Sequence, residues 1–358
     1  MMKQDYQKYL NYIGGVRFWI IMVGVIITLI AFKQASSIVN MILLAMLLTS
    51  VSLAPLNWLK KKGVNSTISI ILIILFVLVL IGLTGTVIGS SANNFASKLP
   101  FYIEKFDIIL SSTGEWLAKF GLIEKGGNPL KEIDPERVLP IAGSFFAGFG
   151  NAMAEALIVF IIFIFMIFEA ETFGRKILFI SPANSERAQL ILKRLRKYFG
   201  IKFLTSLATG IAVTIALLII GVDFPVLWGF LAFILNFIPS IGSFIAAIPA
   251  VILAFIQIGP LSSLITIICY FVINTIIGNI VEPQLMGRNL GISPLIVFIA
   301  MIFFGYILGP IGMLIATPLT IVLKIILDSR EVTRNLGILL GDGSDLEVIE
   351  SDQLLSDE

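Results

Sequence analysis

No histidine occurs among the 358 residues, and cysteine occurs once, at Cys269. The first absence excludes a His-based catalytic triad, a histidine metal site and an imidazole proton relay. The second excludes a disulfide framework and a thiolate metal cluster. Charge is also scarce: Asp, Glu, Lys and Arg make up 13% of the chain, with a balance of +2. That is too little basic charge for a nucleic-acid protein. No GxxxxGK[ST] loop is present, so nothing here hydrolyses ATP by a P-loop. Neither a cofactor nor enzymatic chemistry is expected.

Apolar residues are what the chain has. They make up 58% of it, and the mean hydropathy is +1.01, whereas soluble domains run near half apolar and a quarter charged. They are also bunched: residues 63–97, 203–281 and 289–323 hold one charge between them, Asp223. Apolar stretches of that length predict transmembrane helices. The expected fold is an all-α polytopic membrane protein with about six to eight spans.

Five regions follow along the chain. Residues 1–89 hold three N-terminal spans, at 18–32, 38–58 and 67–89, the second ended by Lys60-Lys61-Lys62. The first resembles a signal peptide, but the further spans favour a retained helix. Residues 90–140 carry six basic and seven acidic residues among apolar ones, the pattern of an amphipathic segment outside the bilayer or on its surface. Gly126-Gly127-Asn128-Pro129 marks a turn within it. Residues 141–202 hold a span at 145–168 and a basic helix at 175–199. Residues 203–327 form the apolar core, beginning with a span at 203–220. Residues 328–358 read as a disordered acidic tail. The basic N-terminus, Lys60–Lys62 and the 175–199 helix fall on one side, the cytoplasmic side by the positive-inside rule, with the C-terminus.

The core carries the strongest signal. Residues 225–257 are apolar throughout; a single helix of that length would span about 50 Å against a hydrocarbon core of about 30 Å. Asn236-Phe237-Ile238-Pro239-Ser240-Ile241-Gly242 supplies a break. Residues 293–324 repeat the situation, broken over Gly305–Gly312 around Gly309 and Pro310. The segments match at an offset of 70: Gly221-Val222 with Gly291-Ile292, Ile241-Gly242 with Ile311-Gly312, Ile245-Ala246 with Ile315-Ala316. Pro225 and Pro294, and Pro249 and Pro318, match at 69. Each segment is either a kinked span or a re-entrant hairpin. Hairpins joined by a crossing helix would form an inverted repeat, an arrangement of secondary transporters.

Polar residues cluster between the two segments. Asn274 and Asn279 are about 140° apart on an α-helix, while Asn279 and Glu282 share a face. Glu282 and Arg288 are the only charges from 224 to 323. A carboxylate inside a membrane is costly and usually functional; alternatively Glu282 caps a helix end and pairs with Arg288. Glu155 and Asp223 are further ion-coupling candidates, Glu155 also being placed to face water near the outer interface. The small residues Gly143, Ala147, Gly148 and Gly150 would allow close helix packing.

Three runs, NFIPSIGSFIAAIPAVILA, the stretch from Asn274 through EPQLMGRNLGISPL, and FFGYILGPIGMLIATPL, resemble the autoinducer-2 exporter (AI-2E) family of bacterial membrane proteins. The resemblance implies a multi-pass inner-membrane exporter that does not hydrolyse ATP. Its best-known member type exports the quorum-sensing signal autoinducer-2. Other members are sodium/proton or lithium/proton antiporters, and pentamers are described. By motif match it carries over Pro239, Gly242, Asn279, Glu282, Pro283, Gly287, Arg288, Gly309, Pro310 and Gly312.

The leading expectation is therefore a secondary exporter of a small polar solute, coupled to protons or sodium ions. Asn236, Ser240, Ser243, Asn274 and Asn279 are candidates to hydrogen-bond solute hydroxyls beside the breaks at Pro239, Gly242, Gly305, Gly309, Pro310 and Gly312. Glu282 is the expected coupling group. Its partners would be the lipid bilayer, the solute, H+ or Na+, and further copies of the chain. The alternatives are a cation/proton antiporter and a membrane scaffold or passive pore.

Overall fold

The computed structural model describes residues 19–20, 22–119, 148, 153–170, 172, 176, 185–239, 241–286, 291–329 and 331–343. The expected turn at 126–129, Gly143, Ala147, Gly150, Ser240, Gly287, Arg288 and residues 344–358 of the expected tail lie outside the described residues; residues 331–339 of that tail, expected to be disordered, are helical. Among the described residues every regular element is helical. The chain is an all-α polytopic membrane protein.

The helices, in chain order, are α1 (Met22–Gln34), α2 (Ser36–Lys61), α3 (Ser66–Lys119), α4 (Met153–Ala170) and α5 (Ser185–Ile220). There follow α6 (Pro225–Leu235), α7 (Gly242–Gln257) and α8 (Pro260–Asn274). A π-turn (Thr275–Val281) leads into α9 (Glu282–Met286), then α10 (Pro294–Leu308), α11 (Pro310–Asp328) and α12 (Arg334–Leu339). Six stretches are long and apolar enough to cross a membrane: Ser36–Lys61, Ser66–Ile109, Met153–Ala170, Gln189–Ile220, Pro260–Met286 and Pro294–Asp328. The last satisfies the length test only on paper, because α10 and α11 fold back on each other at Gly309.

α5 is the mast of the molecule. Its first turns are basic, with Lys193, Arg194, Arg196 and Lys197, and its last 18 residues are apolar. Residues 185–199 of the basic segment and the 203–220 span run together in this one 36-residue helix. Lys202 and Asp223 bracket the apolar part, 21 residues apart, which is about 30 Å of helix and matches the hydrocarbon thickness.

Two hairpins pack beside α5. In hairpin 1, Gln257 at the end of α7 donates Nε2–H to the Gly221 carbonyl (3.1 Å) and accepts the Asp223 N–H on Oε1 (2.8 Å). Entry and exit therefore lie side by side. Its arms, of 11 and 16 residues, reach about 16 and 24 Å, so the segment enters and returns without crossing. In hairpin 2, Gly291 ahead of α10 lies against Lys324 near the end of α11. Ile292, Ile296 and Val297 share a cluster with Ile321 and Ile325. Between the hairpins, Pro260–Met286 is 27 residues long, about 40 Å. It carries the chain from the base of hairpin 1 across to the base of hairpin 2, so the two insert from opposite sides.

The repeat pairs play matching structural parts. Gly221 (φ +85°) and Gly291 (φ +61°) turn the chain into each hairpin through the left-handed region, which glycine enters without a Cβ clash. Pro225 and Pro294 open the first arms, where a missing N–H costs nothing. Gly242 and Gly312 sit where a methyl would overlap a carbonyl oxygen of the opposing arm, that of Leu235 and that of Phe304. Ile238 at the tip of hairpin 1 clusters with Met301, Phe304, Met313 and Ala316 of hairpin 2, so the hairpins overlap side by side in depth.

The N-terminal helices brace this pair. Val39 and Leu43 of α2 cluster with Ile307, Leu308 and Ile315 at the tip of hairpin 2, and Leu47 and Val51 reach its base. α3 is one helix of 54 residues, about 80 Å long. It runs without interruption through residue 90, where composition changes, and through Pro100. Its Phe95 and Tyr102 pack on the base of hairpin 1.

α6 is locked to α5 by a glycine crossing. A methyl on Gly229 would overlap Thr214 Oγ1, and one on Gly210 would press on the Gly229 carbonyl. Gly229→Val should cost about 1–3 kcal/mol by overpacking. We expect a lower melting temperature in detergent, partly recovered by adding Thr214→Ala. An unchanged melting temperature would contradict the crossing.

Candidate functional site: a buried ion pair beside the hairpins

The π-turn aims Glu282. Its wide turns replace i→i+4 by i→i+5 bonding, and the Glu282 N–H reaches the Ile277 carbonyl five residues back. Such turns concentrate at functional sites because they rotate the helix face that follows. The same pattern brings Asn274 and Asn279, five apart, nearer to one face than the α spacing assumed in the sequence reading.

Glu282 faces α5. Lys202 Nζ donates to Glu282 Oε1 at 2.7 Å, and Thr205 Oγ1 donates to Oε2 at 3.1 Å. The Lys202 and Glu282 side chains are 6% and 14% exposed. Tyr198, one turn earlier on α5, is buried. Thr317 is buried as well. A carboxylate, an ammonium and the Thr205 hydroxyl thus meet where α5 and α9 come together. Oxygen groups of this kind suit a small hard cation, and here the Lys202 ammonium stands in the cation's place.

One turn further along α5 the polarity continues. Asn236 at the tip of hairpin 1 donates Nδ2–H to Ser206 Oγ (3.0 Å), and Ser243 Oγ donates to Asn236 Oδ1 (3.1 Å). All three side chains are buried. The Asn236 amide is committed to holding the hairpin tip to α5. The tip of hairpin 2 is tied in the same manner from outside: Asn40 of α2 donates to the Leu308 carbonyl at 3.0 Å.

The other expected residues are distributed as follows. Pro239 is in the tip turn of hairpin 1 and Gly242 opens its second arm. Gly305 sits against Met313, and Gly309 makes the bend into Pro310. Asn274 is half-buried and Asn279 exposed. Glu155 is exposed in the first turn of α4. Asp223 is far from Glu282, at the opposite end of α5. There it accepts from Lys98 Nζ (2.7 Å) and the Tyr102 hydroxyl (2.6 Å). Phe224, next to it, holds a left-handed φ of +60° that costs a non-glycine residue about 1–2 kcal/mol.

Among the described residues the charged partner of Glu282 is Lys202, which the sequence reading did not single out; Arg288, the partner considered there, lies outside them. Lys202 and Glu282 are 80 apart in sequence. A signal did exist: Lys202 is the last charge before a long apolar run, and a buried ammonium demands a carboxylate.

A family model for the AI-2E family transporters matches residues 19–331. The chain belongs to the AI-2E transporter family. It is 31% identical over 335 residues to YhhT of Escherichia coli (strain K12), a candidate transport protein, covering 92% of this chain and 95% of that one. It is 28% identical over 333 residues to the AI-2 transport protein TqsA of the same organism, covering 92% and 97%. A candidate transport protein of Haemophilus influenzae is 33% identical over 340 residues, covering 90% and 96%. In this AI-2E chain the site lies at the meeting of α5 with the connection between the hairpins.

Removing one partner of a buried ion pair costs about 3–5 kcal/mol, because the other charge stays behind uncompensated. Lys202→Met and Glu282→Gln should each lower the melting temperature in detergent by several degrees. The Lys202→Met/Glu282→Gln double variant should recover most of that loss. Additive losses in the double variant would show that the two side chains are not coupled.

Proposed function

We propose that this AI-2E family chain is a secondary transporter that exports a small polar organic solute such as autoinducer-2. It uses an ion gradient and neither hydrolyses ATP nor catalyses a reaction. It would sit in the bacterial cytoplasmic membrane with both termini cytoplasmic and work as a homo-oligomer. The observation that carries the reading is the pair of oppositely inserted hairpins, whose junction lies beside a buried carboxylate. Broken helices at membrane depth are tolerated only where protein or a cavity satisfies them, and in transporters that is where substrate and ion meet. The relative named as an AI-2 transport protein supports the choice of solute class.

In this reading Glu282 is the coupling group and Lys202 its tethered counter-ion. A coupling proton or sodium ion must take the place of the Lys202 ammonium on Glu282, and that exchange changes how α9 is held to α5. Because α9 leads directly into hairpin 2, the exchange would bias hairpin movement against the N-terminal helices. Asn274 and Asn279 would face the solute path. A second reading, a sodium(lithium)/proton antiporter, is favoured by the same feature, since a cation, the Lys202 ammonium, already sits on the Glu282 carboxylate. A scaffold or passive pore needs no such pair.

The test is flux in proteoliposomes loaded with autoinducer-2, with proton and sodium gradients imposed separately. Saturable export should fall at least roughly tenfold in Glu282→Gln, the loss expected when an interaction of about 1.4 kcal/mol disappears. Sodium-dependent proton movement without solute flux would overturn the exporter in favour of the antiporter. Unsaturable flux that is indifferent to the substitution would overturn both.

A further inference from the structure

The two hairpins are closed at their bases by different means. In hairpin 1 the closure is internal: the Asp223 N–H is taken by Gln257 of the same hairpin. From outside, α3 adds Lys98 and Tyr102 on the Asp223 carboxylate. The repeat offset of 70 makes Ser293 the equivalent of Asp223. The Ser293 N–H donates instead to the carbonyl of Leu340 at 3.0 Å, just past the end of α12. The same backbone amide, at the same place in the repeat, is satisfied by the hairpin itself in one case and by the C-terminal segment in the other.

The fastening of that segment is local and polar. Thr333 Oγ1 donates to the Leu327 carbonyl at 2.8 Å. The Asp328 carboxylate fills the space that a side chain on Gly337 would take, and its other role is to accept from Lys324 Nζ at 2.8 Å. Lys324 is only 2% exposed, and its partner Asp328 is the residue against which Gly337 of the segment packs. Against this, Val332, Leu336 and Leu339 turn outward and stay exposed. A segment held by few buried apolar contacts and several polar ones opens at low cost.

We propose that residues 331–341 are a latch over the base of hairpin 2. When the latch lifts, Ser293, Ile292 and Lys324 are uncovered and the hairpin opens on the side that carries the basic start of α5. Among the described residues the base of hairpin 1 is closed by its own Gln257 and by α3, so the C-terminal segment governs the base of hairpin 2 alone. The inference rests on the transport reading only in naming hairpin 2 as a gate for solute; the latch itself is tested without solute.

The test uses the full chain with Cys269→Ser and a reporter thiol at either of two repeat mates, Ile292→Cys or Val222→Cys. Both positions are buried, at 8% and 2% exposure. Maleimide reactivity is measured in the folded protein before and after Gly337→Val, which drives a side chain into Asp328, and separately after deletion of residues 331–358. The latch predicts that position 292 reacts at least roughly fivefold faster in both backgrounds while position 222 does not change. Protection retained at 292, or an equal rise at both positions, would overturn it. Solute flux that persists with 292 unresponsive would sink the latch and spare the transporter. An opened latch in vesicles with no flux would do the reverse.

Discussion

A chain that reverses direction inside hydrocarbon frees N–H and C=O groups that no water will satisfy, at several kcal/mol each. The rest of this structure depends on how that constraint is met. Both reversals are wrapped by protein. Asn236 ties the first to Ser206 of α5, and Asn40 ties the second to α2 through the Leu308 carbonyl. Glycines at 242 and 312 let the opposing arms approach until one backbone touches the other. Lipid gives helices no hydrophobic reason to associate, so close packing and shared hydrogen bonds supply the attraction. The Gly210–Gly229 crossing is the clearest case.

Two ion pairs mark the ends of the apolar part of α5, and they differ in character. Lys98–Asp223 is partly exposed, at 48% and 21%, and such pairs contribute about 0–1 kcal/mol. Lys202–Glu282 is buried, and each of its ions pays several kcal/mol of desolvation. A well-packed apolar pair would hold α9 to α5 at least as well, so stability alone is a weak reason for these two residues. A charge exchange at this point is the reason our account supplies. The site also lies near the boundary of the apolar zone rather than at its centre, within reach of ions from the basic side.

Much of this architecture was legible in the sequence. The apolar runs gave the spans, and the proline and glycine clusters near 239 and 309 gave the breaks, because both residue types disrupt a helix for local reasons. The offset of 70 gave the repeat. Whether the breaks were kinks or hairpins was not legible, since the deciding bonds join Gln257 to Gly221 and place Gly291 on Lys324, across 30 residues or more. Composition changes after residue 90, yet α3 continues through it, since a helix that has left the membrane needs no change of backbone. Asn236 reads from the sequence as a solute ligand; that its amide bonds to Ser206 and Ser243 at the hairpin tip was not legible, since Ser206 lies 30 residues away. Lys202 was not legible as a site residue because its partner lies 80 residues away in the chain.

The central claim is that the hairpins insert from opposite sides with α8, the π-turn and α9 crossing between them. Sidedness of labelling at the two bases tests it most directly. In intact cells and in inverted vesicles carrying Cys269→Ser, an impermeant maleimide would be applied to Ile258→Cys at the base of hairpin 1 and to Ser329→Cys at the base of hairpin 2. The account predicts that position 258 reacts only in cells and position 329 only in inverted vesicles. Labelling of both from the same side would contradict it.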